Sequence, residues 1–227
     1  MKTTPMHAVL ATVLCGALGA HAADEPRFYL SADAGRSDFR LHDDELGELL
    51  PMAVPIPGLV AVIQSKDGKD RAYALHAGYR LNANWALEAG YADLGDASFV
   101  GQRMVNCRPG EICSLLMFPA SRGSLSAKAW DASVVGSYAL AENWSAYGKL
   151  GVSLTRIKTT VAGSLPAATR SSSQRSTVPL LAAGVAYQLT PAASVHLEWN
   201  RHFDGSGDSR NGKADIDAYT LGVGYRF

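Results

Sequence analysis

The end of the chain alternates strictly between two kinds of side chain. Counted back from the last residue, every second position is large and apolar, and the positions between are small or polar. The large residues are Tyr219, Leu221, Val223, Tyr225 and Phe227. A period of two is typical of a β-strand whose two faces meet different surroundings. The C-terminal segment is therefore predicted to be an amphipathic strand.

The same alternation recurs along the chain, and three segments share a turn motif. The motif is Tyr-x-Leu followed by turn residues, at positions 79–81, 138–140 and 187–189. Each copy predicts a tight hairpin. The aromatic residues of these hairpins gather at one end of the predicted sheet, as an aromatic belt at a membrane interface requires. The predicted interface aromatics are Tyr79, Trp85, Tyr138, Trp144 and Tyr187.

Long polar segments join the strands at their other ends. These segments are residues 40–69, 96–126, 158–177 and 204–215. The strands are predicted at residues 27–38, 70–81, 85–95, 127–140, 144–157, 178–189, 193–203 and 216–227. Strands of about ten residues cross a bilayer at a tilt, and outer-membrane barrels alternate short turns with long loops. The predicted fold is all-β: an eight-stranded antiparallel up-and-down transmembrane β-barrel with short periplasmic turns and long extracellular loops.

The start of the chain carries an export pattern. The apolar run at residues 8–20 is shorter than the roughly 20 residues that a spanning helix needs. It follows Lys2 and precedes an A-x-A site, which predicts a cleaved signal peptide at 1–22 and a mature barrel domain at 23–227. The expected location is the outer membrane of a Gram-negative bacterium. Cys107 and Cys113 are expected to form a disulfide, because exported chains meet an oxidising compartment.

Charged residues fall on the strand faces opposite the apolar ones. An eight-stranded barrel has an interior only just wide enough for side chains, and an unpaired buried charge is costly. We therefore predict a lumen packed with mutually paired charges, in which an open pore is not expected. The inward residues by parity are Asp33, His76, Arg80, Glu88, Asp131, Lys149, His196, Glu198 and Arg226.

Several segments resemble the OmpA-type transmembrane barrels. Residues 28–35 (FYLSADAG) resemble their first strand and residues 87–95 (LEAGYADLG) their third. Similar segments follow in the family's order at 147–151, 183–187, 196–199 and 221–227. The resemblance implies that the alternating end, from Tyr219 to Phe227, is the signal read by the barrel-assembly machinery, with periplasmic chaperones as earlier partners. It also sets an expectation that the family's periplasmic peptidoglycan-binding domain is missing, because the sequence stops at Phe227.

Two non-enzymatic functions fit such a barrel. The first is a surface protein that supports envelope integrity and contacts an unidentified extracellular ligand through its loops. The second is a narrow channel for ions or small solutes, which the inward charges favour and the narrow lumen opposes. The expected partners are outer-membrane lipid and lipopolysaccharide, and the barrel is expected to be a monomer. Nucleic acid is not an expected partner, because 21 basic residues balance 21 acidic ones.

A third hypothesis is a lipid A-modifying hydrolase, and the sequence argues against it. The candidate residues His196, Glu198, His202 and Asp204 lie close together in sequence, near Ser206 and Ser209. Nucleophilic catalysis needs a serine held beside a histidine, and these serines lie in a glycine-rich segment without a rigid elbow. The interpretation is therefore that the chain is not an enzyme. No metal or cofactor is expected, because the two cysteines lack the nearby histidines of a zinc site.

The predicted loops differ in character. The first is acidic at residues 43–48, and the second is basic, with Arg103, Arg108 and Arg122. Residues 49–62 are apolar and rich in proline. That segment is predicted either to form a docking patch or to pack across the mouth of the barrel.

Overall fold

The computed structural model describes residues 27–50, 59–105, 119–163, 169–203 and 214–227. The predicted signal peptide, both cysteines of the predicted disulfide, and Asp204, Ser206 and Ser209 lie outside the described residues. The elements are β1 (Phe28–Leu41), α1 (Asp43–Leu49), β2 (Leu59–Asp67), β3 (Lys69–Arg80), β4 (Trp85–Val105), β5 (Ser121–Ala139), β6 (Trp144–Ala162), β7 (Thr169–Gln188), β8 (Ala193–His202) and β9 (Ala214–Arg226). Among the described residues, no helix has the length and hydropathy needed to cross a membrane.

The strands close into one antiparallel barrel. The order β4-β3-β1-β9-β8-β7-β6-β5 returns to its start, because β4 also pairs with β5. Segments β2 and β3 both pair antiparallel with β4, so they are two parts of one barrel strand, interrupted at Gly68. The last strand, β9, pairs along β1, and the Phe227 amide donates to the Phe28 carbonyl at 3.0 Å. The predicted eight-stranded antiparallel barrel is confirmed.

Three tight turns with shared geometry define one end of the barrel, called the turn end below. In each Tyr-x-Leu copy, the amide of the leucine donates to the carbonyl four residues later. The three distances are 2.9 Å from Leu81, 2.8 Å from Leu140 and 2.9 Å from Leu189. The repeated sequence motif therefore encodes a repeated hairpin, as predicted.

Two aromatic girdles bound an apolar band on the outside of the barrel. At the turn end, Trp144 packs on Tyr187 with ring centroids 5.0 Å apart, and Tyr79 packs on Phe28 at 4.9 Å. Exposed Trp85 and Tyr138 belong to the same girdle. The far girdle includes Tyr73, Tyr91, Trp130, Trp199 and Tyr219. Between the girdles, exposed leucines and valines cover the wall, as they do where a barrel meets lipid.

The strands extend well beyond the far girdle, and here the predicted boundaries were wrong. β4 has 21 residues, β5 and β6 have 19 each and β7 has 20, whereas a tilted crossing needs about 9–11. Much of the predicted loops at 96–126 and 158–177 is therefore strand. We call this part, built from β2 and the outer halves of β4–β7, the β-extension.

The physical reason is an inversion of the alternation at the far girdle, visible along β5. On the membrane side of Trp130, the exposed residues are apolar, such as Val134, and Asp131 points inward. In the β-extension, Leu125 is 1% exposed, whereas Lys128 lies on the exposed face. The outer wall there meets water and the interior is apolar, so a rule that assigns apolar residues to lipid fails.

A bulge at Gly95 adds a second break in β4. The register against β5 shifts between Asp93 and Gly95, and Gly95 has a φ of 81°, which favours glycine. Odd-numbered apolar residues face lipid before the bulge, as Leu87 does. After it they face the interior, as Phe99 does at 2% exposure. Apolar residues therefore stay at odd-numbered positions along β4, although the surface that these positions face changes from lipid to the interior at the bulge.

The first inter-strand segment plugs the far half of the lumen. Leu46 of α1 and the following Leu50 are 1% and 3% exposed and belong to one apolar cluster with Phe99, Leu125 and Ile216. The Arg103 guanidinium donates to the carbonyls of Gly47 and Leu50, each at 3.0 Å. Within the predicted apolar segment at 49–62, Leu50 therefore packs across the barrel mouth, whereas residues 59–62 belong to strand β2 of the wall.

Candidate functional site in the barrel lumen

A buried ion triad lies in the half of the lumen nearer the turn end. Lys149 on β6 lies between Glu88 on β4 and Glu198 on β8, with its ammonium 2.5 Å and 2.8 Å from their carboxylates. The Tyr29 hydroxyl donates to Glu88 and the Tyr147 hydroxyl to Glu198, each at 2.9 Å. The strand alternation points all five side chains inward, and the two tyrosines add hydrogen bonds to the paired carboxylates. The triad is thus paired and hydrogen-bonded, as buried charges must be.

A second cluster centres on Asp33. His76 Nδ1 and His196 Nε2 each contact one oxygen of its carboxylate, at 3.1 Å and 2.5 Å. A Cβ atom on Gly222 would collide with both Asp33 Oδ1 and the His196 ring, so glycine leaves room for this contact. The Tyr147 and His196 rings form a T-shaped pair with their centroids 6.3 Å apart, which links the cluster to the ion triad.

The structure separates the other predicted lumen residues from these two clusters. Arg80 and Arg226 are half-buried at the turn end, where Arg80 donates to the Ala83 carbonyl at 3.2 Å. Asp131 is buried nearer the plug, with its Oδ1 3.8 Å from His202 Nδ1. His202, a candidate of the hydrolase hypothesis, is 3% exposed on the same side of the lumen.

Sequence reasoning missed Tyr29 and Tyr147 as members of the network. Both fall on the inward parity of β1 and β6, the strands that also carry Asp33 and Lys149. A tyrosine facing a charged lumen needs a partner for its hydroxyl, and the nearest acceptors there are carboxylates. The sequence feature that identifies Tyr29 and Tyr147 is therefore a tyrosine at an inward-facing strand position, since its hydroxyl needs a partner there.

A small polar cavity of about 20 Å³ lies between the ion triad and the plug. Among its lining atoms, Asp131 Oδ1, Asn200 Oδ1 and His202 Nδ1 are buried and have no hydrogen-bond partner among the described residues. A space of this size holds about one water molecule, which such atoms can bind. The described residues contain no group of three or more His, Cys, Asp or Glu side chains that could hold a metal ion.

The residues of the hydrolase hypothesis are divided between different partners. His196 contacts Asp33, whereas Glu198 contacts Lys149. Within the described part of the chain, no serine hydroxyl hydrogen-bonds with a histidine ring. The arrangement can hold paired charge and a little water, and it lacks the nucleophile–base contact of covalent catalysis there.

Comparison with known proteins agrees with this architecture. The sequence matches the outer membrane protein beta-barrel domain family over residues 8–227. No curated protein matches it significantly. Neisserial surface protein A is 17% identical, with a TM-score of 0.51 over 88% of this chain and 97% of that chain.

Two further solved structures are similar. Ail, the attachment invasion locus protein of Yersinia pestis, is 17% identical, with a TM-score of 0.50 over 90% of this chain and 100% of that chain. The outer membrane protease OmpT of Escherichia coli is 14% identical, with a TM-score of 0.49 over 92% and 99%. At such identities the likeness concerns the fold alone.

Proposed function

The chain belongs to the outer membrane protein β-barrel family, and from that premise we propose that it is a non-enzymatic surface barrel with a closed lumen. The observation that carries the proposal is the apolar plug above the ion triad. The barrel supports the integrity of the envelope and presents its β-extension to the outside. In this proposal the turn end faces the periplasm, the protein is exported with a cleaved signal peptide, and it functions as a monomer.

The closed lumen follows from the order of its layers. An ion entering from the turn end meets the paired charges of Lys149, Glu88 and Glu198. Beyond the small cavity it meets Leu46, Leu50 and Phe99, whose side chains offer no polar atom. Moving a charge from water into apolar surroundings costs several kcal/mol or more. These layers favour a structural barrel over the narrow channel.

We expect no conductance from the folded protein. Single-channel recordings in planar bilayers are the measurement, with a large porin as positive control. The sample is first shown to be folded by electrophoresis with and without boiling, because a folded barrel changes its migration on heating. Reproducible conductance steps from such a sample would contradict the closed lumen.

Lipid A provides the test of the non-enzymatic part. The mass of lipid A is expected to stay unchanged after incubation with the folded barrel in detergent. A loss of acyl chains that the His196→Ala variant no longer causes would overturn the proposal in favour of the hydrolase.

The predicted disulfide would clamp the hairpin between β4 and β5. Cys107 follows β4, which ends at Val105, and Cys113 precedes β5, which begins at Ser121. We expect a protein purified from the oxidising envelope to resist alkylation until it is reduced, and then to take up two labels per chain. Mass spectrometry after non-reducing proteolysis detects the linked peptide. Two alkylated thiols without prior reduction would exclude the bond.

A further inference from the structure

The outer wall of β5, β6 and β7 beyond the far girdle is basic. Its outward side chains form successive cross-strand rows, and each row contains one residue from each strand. None of the outward residues in these rows is acidic, although the whole chain has no net charge. The basic residues are Arg122, Lys128, Arg156, Lys158 and Arg175.

The row nearest the membrane, called the basic row below, consists of Lys128, Arg156 and Arg175. The register places Arg156 directly opposite both of the others. Directly opposed side chains have Cβ atoms roughly 4.5–5.5 Å apart, and like charges at that distance destabilise a sheet. Three adjacent cations therefore call for a compensating anion.

Only part of that compensation comes from the described chain. Asp93 lies 3.2 Å from Lys128. Among the described residues, no carboxylate lies within salt-bridge distance of Arg156 or Arg175. The Nε atom of Arg156 donates to the Ser173 hydroxyl at 3.0 Å, which steadies the side chain and leaves its terminal nitrogens for a ligand. Both guanidinium groups lie on exposed positions.

The level of the basic row identifies the surroundings that it meets. The next row toward the turn end contains Trp130 and Leu154, which are 64% and 58% exposed on the apolar band. Two residues along a strand span roughly 7 Å. The basic row therefore lies at the depth of the lipid headgroups, immediately outside the hydrocarbon region.

We propose that the basic row binds the phosphate groups of the outer-leaflet glycolipid, lipid A. Guanidinium forks match phosphate oxygens in pairs, and the serine hydroxyls of the next row outward, Ser126 and Ser173, add polar partners for the adjoining sugar. A lipid phosphate fits better than a soluble polyanion, because the row borders the lipid-facing band and lies far from the tip of the β-extension. The inference rests on the outer-membrane placement in the proposed function and is independent of the closed lumen.

The test compares two double variants of the folded full-length mature barrel in detergent. Arg156→Gln/Arg175→Gln removes the unpaired cations. The matched control Arg40→Gln/Lys69→Gln also removes two cations beyond the far girdle, but these already have carboxylates nearby, Asp217 at 2.8 Å and Asp38 at 4.0 Å. Native mass spectrometry measures the binding of diphosphorylated lipid A and of the same lipid without phosphates.

The Arg156→Gln/Arg175→Gln variant is expected to bind diphosphorylated lipid A about 25-fold more weakly, from about fivefold for each cation at an anionic surface. The control variant is expected to bind diphosphorylated lipid A as the wild type does. The dephosphorylated lipid is expected to bind the wild type and both variants equally. Equal binding by both variants would overturn the proposal. The proposal would also be overturned if the Arg156→Gln/Arg175→Gln variant lost binding of heparin fragments but kept binding of lipid A. That result would assign the basic row to a soluble polyanion. Because conductance is a separate measurement, failure here leaves the closed lumen standing.

Discussion

Replacing Lys149 by methionine is expected to lower the free energy of unfolding by about 3–5 kcal/mol. The substitution leaves the carboxylates of Glu88 and Glu198 buried together without the cation that separates them. Two uncompensated acids in a narrow lumen repel each other, and among the described residues each keeps only a tyrosine hydroxyl as a hydrogen-bond donor. Urea unfolding of the barrel in lipid vesicles, followed by tryptophan fluorescence, is the measurement.

Two controls separate charge pairing from side-chain size. The triple variant Glu88→Gln/Lys149→Met/Glu198→Gln has no charge in the triad, and most of the lost stability is expected to return, since neutral replacements of buried ion groups are often tolerated. Arg80→Met removes a cation from the half-buried turn end of β3 and is expected to cost less than about 1 kcal/mol. If Lys149→Met and Arg80→Met cost the same small amount, the triad does not stabilise the barrel.

The barrel itself was predictable because its signals are local. Alternation with a period of two and the repeated Tyr-x-Leu turns specify strands and hairpins within short windows. The β-extension was not predictable by the same rule, because the rule equates the apolar face with lipid. Leu125 and Phe99 are apolar and face inward, where α1 supplies their partners. Whether such a residue meets lipid or a protein core depends on its height along the barrel, which short-range pattern does not contain.

The lumen was predictable in composition and only partly in its contacts. Parity assigned Asp33, Glu88, Lys149 and Glu198 to the interior, and all four are buried there. The pairing of Asp33 with His196 joins residues 163 positions apart, and it depends on how β1, β9 and β8 lie side by side. Parity gives direction but not height. For that reason Arg80 and Arg226 were grouped with side chains that lie deeper in the lumen.

Replacing Leu125 by arginine is expected to cost about 4 kcal/mol or more, or to prevent folding, whereas Ser124→Arg should change stability by less than about 0.5 kcal/mol. The two positions are adjacent on β5 and point to opposite faces. Leu125 packs in the apolar cluster with Phe99 and Leu46, where a guanidinium would be buried without a partner. At position 124 the same side chain would extend into water. The folded fraction after refolding into vesicles, measured by heat-dependent electrophoretic migration, compares both variants in one gel.

The Leu125→Arg and Ser124→Arg variants distinguish a β-extension with an apolar packed interior from one whose interior contains water. Only a water-free interior makes arginine much more destabilising at position 125 than at position 124.

A third variant, Val134→Arg, tests the inversion from the other side of the far girdle. Val134 is exposed on the same outward parity as Ser124, but it lies on the apolar band. An arginine there should cost up to about 2–4 kcal/mol, depending on its depth in the bilayer. The outward face of β5 would thus accept charge at 124 and reject it at 134. Equal tolerance at 124 and 125 would mean that water reaches the interior and that the plug does not seal the lumen.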